Sequence, residues 1–174
     1  MKISNIFKHI NLVMHHKWVV FKLCCKVGIP WRGFMHDWSK FSPTEFWESV
    51  KYYNGHRSPI TVCKEKNGYS EAWLHHKGRN KHHWEFWVDF TRKGLVPAKM
   101  PKEYVLEMFC DRVAASMIYQ GKKYQDGHPL QYYENGKHSY VMHPQTRSLL
   151  EHLLNYLNEH GLNKTIEYIK KEIK

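Results

Sequence analysis

The sequence has 174 residues, 42% hydrophobic and 25% charged, which suits one folded domain and excludes wholesale disorder. Lys and Arg outnumber Asp and Glu by 27 to 16, and the formal net charge of +11 favours anionic partners such as phosphates, nucleotides or nucleic acid. Lysines interrupt the apolar positions near the N-terminus too often for a signal-peptide core or a spanning helix, so no membrane insertion and a cytoplasmic location are predicted.

Histidine and cysteine are the residue types in this composition that bear most directly on metal chemistry. The chain has 14 histidines, and histidine is the commonest metal ligand among side chains. The four cysteines show no CxxC pairing and no zinc-ribbon spacing. They are Cys24, Cys25, Cys63 and Cys110. Reduced core thiols are therefore predicted, in agreement with a cytoplasmic protein.

The first half of the chain predicts helices separated by turns. A first helix begins near Ser4 as N-cap and ends at Gly28, with apolar residues recurring at three- and four-residue steps on one face. The stretch SPTE then supplies Ser42 as N-cap, a proline at the first helical position and Glu45 to complete a capping box. This second helix should run to about Tyr53.

The rest of the chain contains no convincing alternating strand and no internal repeat. The predicted segments are a polar surface loop over 55–68, a helix or helix pair over 69–91 broken at Gly78, a helix over 101–120, a long loop or lid over 121–143, and two helices over 144–160 and 162–173. No linker composition divides the sequence. We therefore predict an all-α fold in a single domain, 1–174.

Two histidine positions in the first 40 residues are candidate metal ligands. His16 follows Val13 by three residues and falls on the apolar stripe of the first helix, although a core histidine bonded to a carbonyl, or His15 in its place, would fit the pattern as well. His36 and Asp37 are adjacent in a turn between two helices, where the backbone can aim both side chains at one point. The alternative for Asp37 is a local helix cap.

Asp111 is a carboxylate on an apolar stripe. It lies three residues after Met108 and four before Ala115 in the predicted helix over 101–120. A buried carboxylate is costly unless it is paired or binds a metal, so either a metal or a salt bridge to an arginine from another helix is expected.

The stretch HHKGRNKHHWE contains two pairs of histidines with a spacing of seven. His75 and His82, or His76 and His83, would share a face if the segment stayed helical through Gly78. The alternative is a basic surface helix or a phosphate-binding stretch. Glu85 adds a candidate acid–base group, so several elements supply imidazoles and carboxylates of the kind that bind divalent ions with open positions for substrate.

The order of these groups resembles the HD-domain superfamily of metal-dependent phosphohydrolases, which is all-helical. The stretch HDWSK is similar to the superfamily's His–Asp–x–x–Lys, and CDRVAAS is similar to its last motif. The chain also resembles a small, poorly characterised family of bacterial and phage proteins over nearly its whole length. The superfamily resemblance implies a helical bundle of HD-domain type.

The same resemblance implies roles for individual residues. The primary metal ligands would be His16, His36, Asp37 and Asp111, with His76 and His82 as candidates for a second metal. Lys40 would face a substrate phosphate and act with Glu85 in catalysis. Further substrate contacts are expected from Arg79, Arg112 and His83. One or two divalent ions are implied, with iron, manganese, magnesium, cobalt, nickel and zinc not distinguished.

The expected activity is hydrolysis of a nucleotide or another phosphoester. A histidine-rich ligand set also fits a di-iron oxygenase, a role known for some HD-type folds. A third alternative is non-enzymatic: seven tryptophans, eleven tyrosines and many lysines would form a nucleic-acid-binding surface through stacking and phosphate contacts.

Overall fold

Eight α-helices make up most of residues 3–173, the part of the chain that a computed structural model describes. They are α1 Ile3–Lys26, α2 Pro30–Met35, α3 Pro43–Tyr52, α4 Pro59–Asn67, α5 Glu71–Lys77, α6 Lys102–Gln120, α7 His128–Gly136 and α8 Pro144–Tyr168. Two short strands, β1 Val88–Thr91 and β2 Gly94–Pro97, pair antiparallel with Val88 opposite Pro97. The prediction of an all-α fold is confirmed, and the small hairpin is the exception that the sequence did not indicate.

The hydrophobic core lies between α1, α6 and α8, with α7 covering one side. Helix α6 is its central element, since seven consecutive residues from Tyr104 to Cys110 are buried. Helix α8 contributes a leucine stripe that includes Leu150, Leu153 and Leu157. The helix that carries Asp111 is therefore held rigidly, which fixes the position of any group on it.

The predicted loop over 55–68 is wrong for most of its length. Helix α4 begins at Pro59, where proline suits the first helical turn, and ends at Gly68, whose φ of 82° is in the left-handed region. Cys63 anchors the helix by burying its side chain. The helix has few apolar positions, so the hydrophobic period gave no signal.

The predicted loop or lid over 121–143 is also wrong in its central part. Helix α7 occupies 128–136, and the side chain of its residue Tyr133 is fully buried against the core. The Tyr133 hydroxyl donates a hydrogen bond to Glu151 Oε1 over 2.8 Å. This helix packs on the core, so the aromatic side chains of the segment do not form an open lid.

Other boundaries agree with the sequence more closely. Helix α5 ends at Gly78, where a break was predicted, although the rest of 69–91 forms a 3-10 turn and strand β1. Helix α8 has a kink at Gly161, whose φ is 77°. All four cysteines are free, and Cys25 is exposed where a core thiol was expected. Across residues 3–173, none of the helices combines the length and apolarity needed to span a bilayer.

The contact between α1 and α2 depends on Gly33. A methyl group at this position would lie 2.6 Å from Cys24 Cβ and 2.9 Å from Phe21 Cα. We expect Gly33→Ala to lower the free energy of unfolding by about 1–3 kcal/mol, because overpacking outweighs the better helix propensity of alanine. Gly78→Ala is the control, since its methyl group meets nothing closer than 3.4 Å. Urea unfolding followed by circular dichroism checks this, and an unchanged or raised stability of Gly33→Ala would contradict it.

Candidate metal centre

His36 and Asp37 lie in the turn between α2 and the 3-10 segment Trp38–Phe41. Asp37 has a φ of 54°, and among the described residues no other non-glycine residue has a positive φ. Aspartate enters this left-handed region more readily than most residues. The chain reverses there, so His36 Nε2 comes within 3.3 Å of Asp37 Oδ2. The Asp37 side chain makes no cap hydrogen bond, so the interpretation as a helix cap is wrong.

Seven side chains from five chain segments meet around Asp37, and we call them the His/Asp cluster. Their donor atoms form three overlapping groups, and within each group the atoms lie within 4.8 Å of one another. The members are His16 from α1, His36 and Asp37 from the turn, His76 from the end of α5, His82 and His83 from the segment after it, and Asp111 from α6. All six predicted metal ligands are in this set, and that they bind metal stays a prediction.

The spacing of the donor atoms suits metal coordination. Metal bonds to imidazole and carboxylate of about 2.0–2.2 Å place neighbouring ligand atoms roughly 3.0–3.5 Å apart. Asp37 Oδ1 lies 3.3 Å from His76 Nε2 and 3.4 Å from His82 Nε2. Asp111 Oδ1 lies 2.9 Å from His16 Nε2 and 3.6 Å from His36 Nε2. No rearrangement of the backbone is needed to bring these atoms to ligand distances.

Several atoms that could bind a metal are buried and make no well-aligned hydrogen bond, although other atoms of the cluster lie near them. They are Nε2 of His16, His36 and His82 and Oδ1 of Asp37. Buried polar atoms are normally satisfied, and leaving one unpaired costs about 1–3 kcal/mol. These four atoms, three imidazole nitrogens and one carboxylate oxygen, face one region, and their chemistry would fit a divalent cation.

Glu107 holds two of these histidines in the orientation that a metal needs. Its Oε1 lies 3.0 Å from His36 Nδ1 and 3.1 Å from His82 Nδ1. Each Nδ1–H can donate to the carboxylate, which leaves each Nε2 free to bind a metal, as in most histidine metal sites. Sequence reasoning missed Glu107, although its position four residues before Asp111 places it on the same face of α6.

Glu45 has the same relation to His76. The His76 Nδ1 lies 2.7 Å from Glu45 Oε2, and Nε2 faces Asp37. The sequence assigned Glu45 to a capping box. One half of that box exists, because the Ser42 hydroxyl accepts from the Glu45 amide over 3.4 Å, but the Glu45 side chain turns inward instead.

The carboxylates and His36 in the cluster have pKa values shifted in opposite directions. Burial alone would raise the pKa of Asp37, but the charges of His36 and Lys40 hold it well below its usual value. Burial alone would lower the pKa of His36, yet Asp37 and Asp111 raise it well above its usual range. A metal ion at His36 would therefore compete with protonation of the imidazole.

Two lysines border the cluster. Lys40 Nζ lies 2.6 Å from Asp37 Oδ2. Burial alone would lower the pKa of Lys40, but Asp37 and Asp111 raise it, so Lys40 stays charged. Lys17, which the sequence did not single out, donates to the carbonyl of His36 and fixes the turn from the side of α1.

Burial and contacts distinguish the members of two histidine pairs, His15/His16 and His75/His76, whereas His82 and His83 both belong to the cluster. His16 is buried on α1, whereas its neighbour His15 is exposed. His76 faces Asp37, whereas His75 bonds to Glu45 at 2.6 Å and lies outside the cluster. His83, which was assigned to substrate, belongs to the group of Asp37, His76 and His82. The expected arginine partner of Asp111 is replaced by histidines, of which His16 is nearest.

Three predicted residues lie apart from the cluster. Arg79 is exposed and donates to the carbonyl of His75. The Arg112 guanidinium lies 5.6 Å from the ring centres of Tyr133 and Tyr140, on the side of α7. Burial raises the pKa of Glu85, and the charged side chains that act on it are those of Lys77, Arg112 and Lys64. The side chains of these three residues make no hydrogen bond or ion pair with the side chains of the predicted metal ligands, although the Arg79 amide donates to the His76 carbonyl over 3.1 Å.

Comparisons with known proteins identify a family and no activity. A family model described as "Family of unknown function (DUF5662)" matches residues 5–156, which include every member of the His/Asp cluster. No curated protein and no solved structure matches the chain.

Proposed function

We propose that this chain, which belongs to the DUF5662 family, is a cytoplasmic metal-dependent phosphohydrolase acting on a nucleotide or another phosphoester. The observation that carries the proposal is that the Nε2 atoms of several histidines face Asp37 and Asp111. The Nδ1 atoms of His36 and His76 are hydrogen-bonded to Glu107 and Glu45. The resemblance to HD-domain phosphohydrolases supports it, because the residues of that resemblance are neighbours in the fold.

The two oxygens of Asp37 face different sets of imidazoles, which supports two ions sharing this residue. On one side Oδ2 lies near His36, which is grouped with His16. On the other side Oδ1 lies near His76 and His82. Bound divalent ions would lower the pKa of a coordinated water and polarise a phosphoryl oxygen.

The approach to the centre lies beside His16 and Asp111. Their side chains are 11% and 20% exposed, whereas those of His36, Asp37, His76 and His82 are 0–2% exposed. A phosphate that enters there meets Lys40, which stays charged and would bind the phosphate oxygens as charge develops on them. The net charge of +11 favours arrival of an anionic substrate.

The direct test measures metal and hydrolysis together. Asp111→Ala is expected to lose bound metal and to lower hydrolysis of bis(4-nitrophenyl) phosphate by at least about 100-fold, because it removes a primary ligand and not merely an outer-shell residue. Asp89→Ala, at an exposed position in β1, is the control and should match the unmodified protein.

Metal content by mass spectrometry and a screen of mono-, di- and cyclic nucleotides complete that measurement. Unchanged metal content in Asp111→Ala would contradict the assignment of the centre. A fully loaded protein that hydrolyses no phosphoester would contradict the assignment of the reaction.

A di-iron oxygenase is the second candidate, because the position of Asp37 between two histidine sets would also suit two iron ions. The distinguishing measurement is oxygen consumption by protein loaded anaerobically with ferrous iron. Phosphoester hydrolysis without oxygen consumption supports the first candidate, and oxygen consumption without hydrolysis supports the second.

A further inference from the structure

A row of exposed aromatic side chains runs along α2 and the turn that follows it. The row consists of Trp31, Phe34, Trp38 and Phe41, which are 36–69% exposed. Successive ring centres are 5.7, 6.3 and 5.8 Å apart. We call these four residues the aromatic row. Apolar surface of this extent on a folded protein usually marks an interaction site.

The charge around the aromatic row is one-sided. Residues 3–44 contain six Lys or Arg and a single acidic residue, Asp37, which is 1% exposed. Lys22 lies over the ring of Trp18 on the adjacent helix α1, and Lys17 lies 4.5 Å from the ring centre of Trp38. Glu103 of α6 reaches this region, at 3.9 Å from Arg32. The segment therefore has a net positive charge beside the aromatic rings and no exposed carboxylate of its own, although Lys17 itself is 7% exposed.

The aromatic row and the His/Asp cluster share one turn. Phe34 and Trp38 flank His36 and Asp37 in sequence, and the Trp38 indole donates to the carbonyl of Phe34 over 3.0 Å. Lys17 connects the two features, since it lies over Trp38 and donates to the carbonyl of His36. A chain bound along the row would therefore pass close to the proposed centre.

We infer that the aromatic row binds single-stranded nucleic acid, and that the substrate of the proposed centre is a phosphodiester within such a strand. The second half of this inference rests on the proposed function. Successive exposed aromatic rings on a segment of net positive charge match a partner that alternates flat apolar bases with anionic phosphates. A free mononucleotide would use one ring, whereas a strand uses the whole row, and a duplex hides the base faces that stack on it.

The test is binding of a fluorescently labelled single-stranded oligothymidine, followed by anisotropy at low and moderate salt. The double variant Trp31→Ala/Phe34→Ala should weaken binding at least about 20-fold, because base stacking on one ring typically gives roughly fivefold or more. Lys22→Glu should weaken binding and flatten its salt dependence. Phe90→Ala, an 81% exposed aromatic in the hairpin, is the matched control and should bind as tightly as the unmodified protein.

Several outcomes would overturn the inference. These are equal affinity of the double variant and the Phe90→Ala control, equal affinity for a duplex, and binding to anionic lipid vesicles or self-association through the row without binding of oligothymidine. Circular dichroism of the double variant confirms that it is folded, which its exposed positions favour.

Asp111→Ala separates this inference from the proposed function. It should still bind oligothymidine in a manner that depends on the aromatic row while it loses metal. Binding that depends on the row without hydrolysis by any metal-loaded form would leave the surface standing and remove the proposed function. Hydrolysis of bis(4-nitrophenyl) phosphate without any binding of oligothymidine would leave the proposed function standing and overturn the inference about the aromatic row.

Discussion

Asp37→Asn is expected to bind no more than one metal ion per chain and to lose at least about 100-fold in phosphodiester hydrolysis. Asparagine keeps the size of the side chain and tolerates the left-handed backbone at this position, so the turn itself should persist. The substitution removes the charge that faces both histidine sets. The loss should exceed the roughly 10–100-fold that is typical for outer-shell residues, because both candidate metal positions use this carboxylate.

The measurement is metal per chain by mass spectrometry beside the rate of bis(4-nitrophenyl) phosphate hydrolysis. Removing a buried charge that pairs with Lys40 and His36 costs about 3–5 kcal/mol, so thermal unfolding of the variant must be recorded first. If Asp37→Asn does not fold, His16→Gln at the exposed edge of the cluster replaces it. Two tightly bound metals in either folded variant would contradict the centre described here.

Glu107→Gln is expected to weaken metal binding by roughly 10–100-fold while all the predicted ligands remain. The carboxylate lies 3.0 Å from His36 Nδ1 and 3.1 Å from His82 Nδ1, so a single substitution disturbs two imidazoles. Glutamine keeps an acceptor oxygen but no charge, whereas Glu107→Ala removes both. The affinity should therefore fall in the order glutamate, glutamine, alanine.

Competition with a chelator of known affinity measures this effect without reference to catalysis. Glu103→Gln is the matched control, since it lies one turn earlier on α6 and its contact is with Arg32 at the surface. A dissociation constant for Glu107→Gln within twofold of that of the control would show that Glu107 does not orient the ligands.

Helices with strong local signals were predictable from the sequence. Two such signals were the Ser42 N-cap with a proline after it at the start of α3, and Gly28 at the end of α1. The structure has both features. Helices α4 and α7 were missed, because each has few apolar positions and is held by one or two buried side chains such as Cys63 and Tyr133. Tertiary packing, which a periodic pattern does not record, decides such segments.

The candidate centre was predictable where a ligand falls on an apolar stripe or in a turn. His16 and Asp111 stood out for the first reason and the His36–Asp37 pair for the second. Glu45 and Glu107 were not predictable in this way. Glu45 had a complete local explanation as a capping residue, and the partners of Glu107 come from distant segments that only the folded chain brings near it.

The position of the His/Asp cluster would link metal occupancy to the integrity of the whole fold. Its members come from α1, the turn at His36 and Asp37, the end of α5, the segment with His82 and His83, and α6, the most buried helix. An ion held there would tie five separate parts of the chain to the core, and it would bind only when all five are in place. A bound ion would therefore act as a cross-link whose presence depends on the metal concentration in the cell. Scarcity of the ion would lower the stability of the folded chain and also stop the proposed reaction.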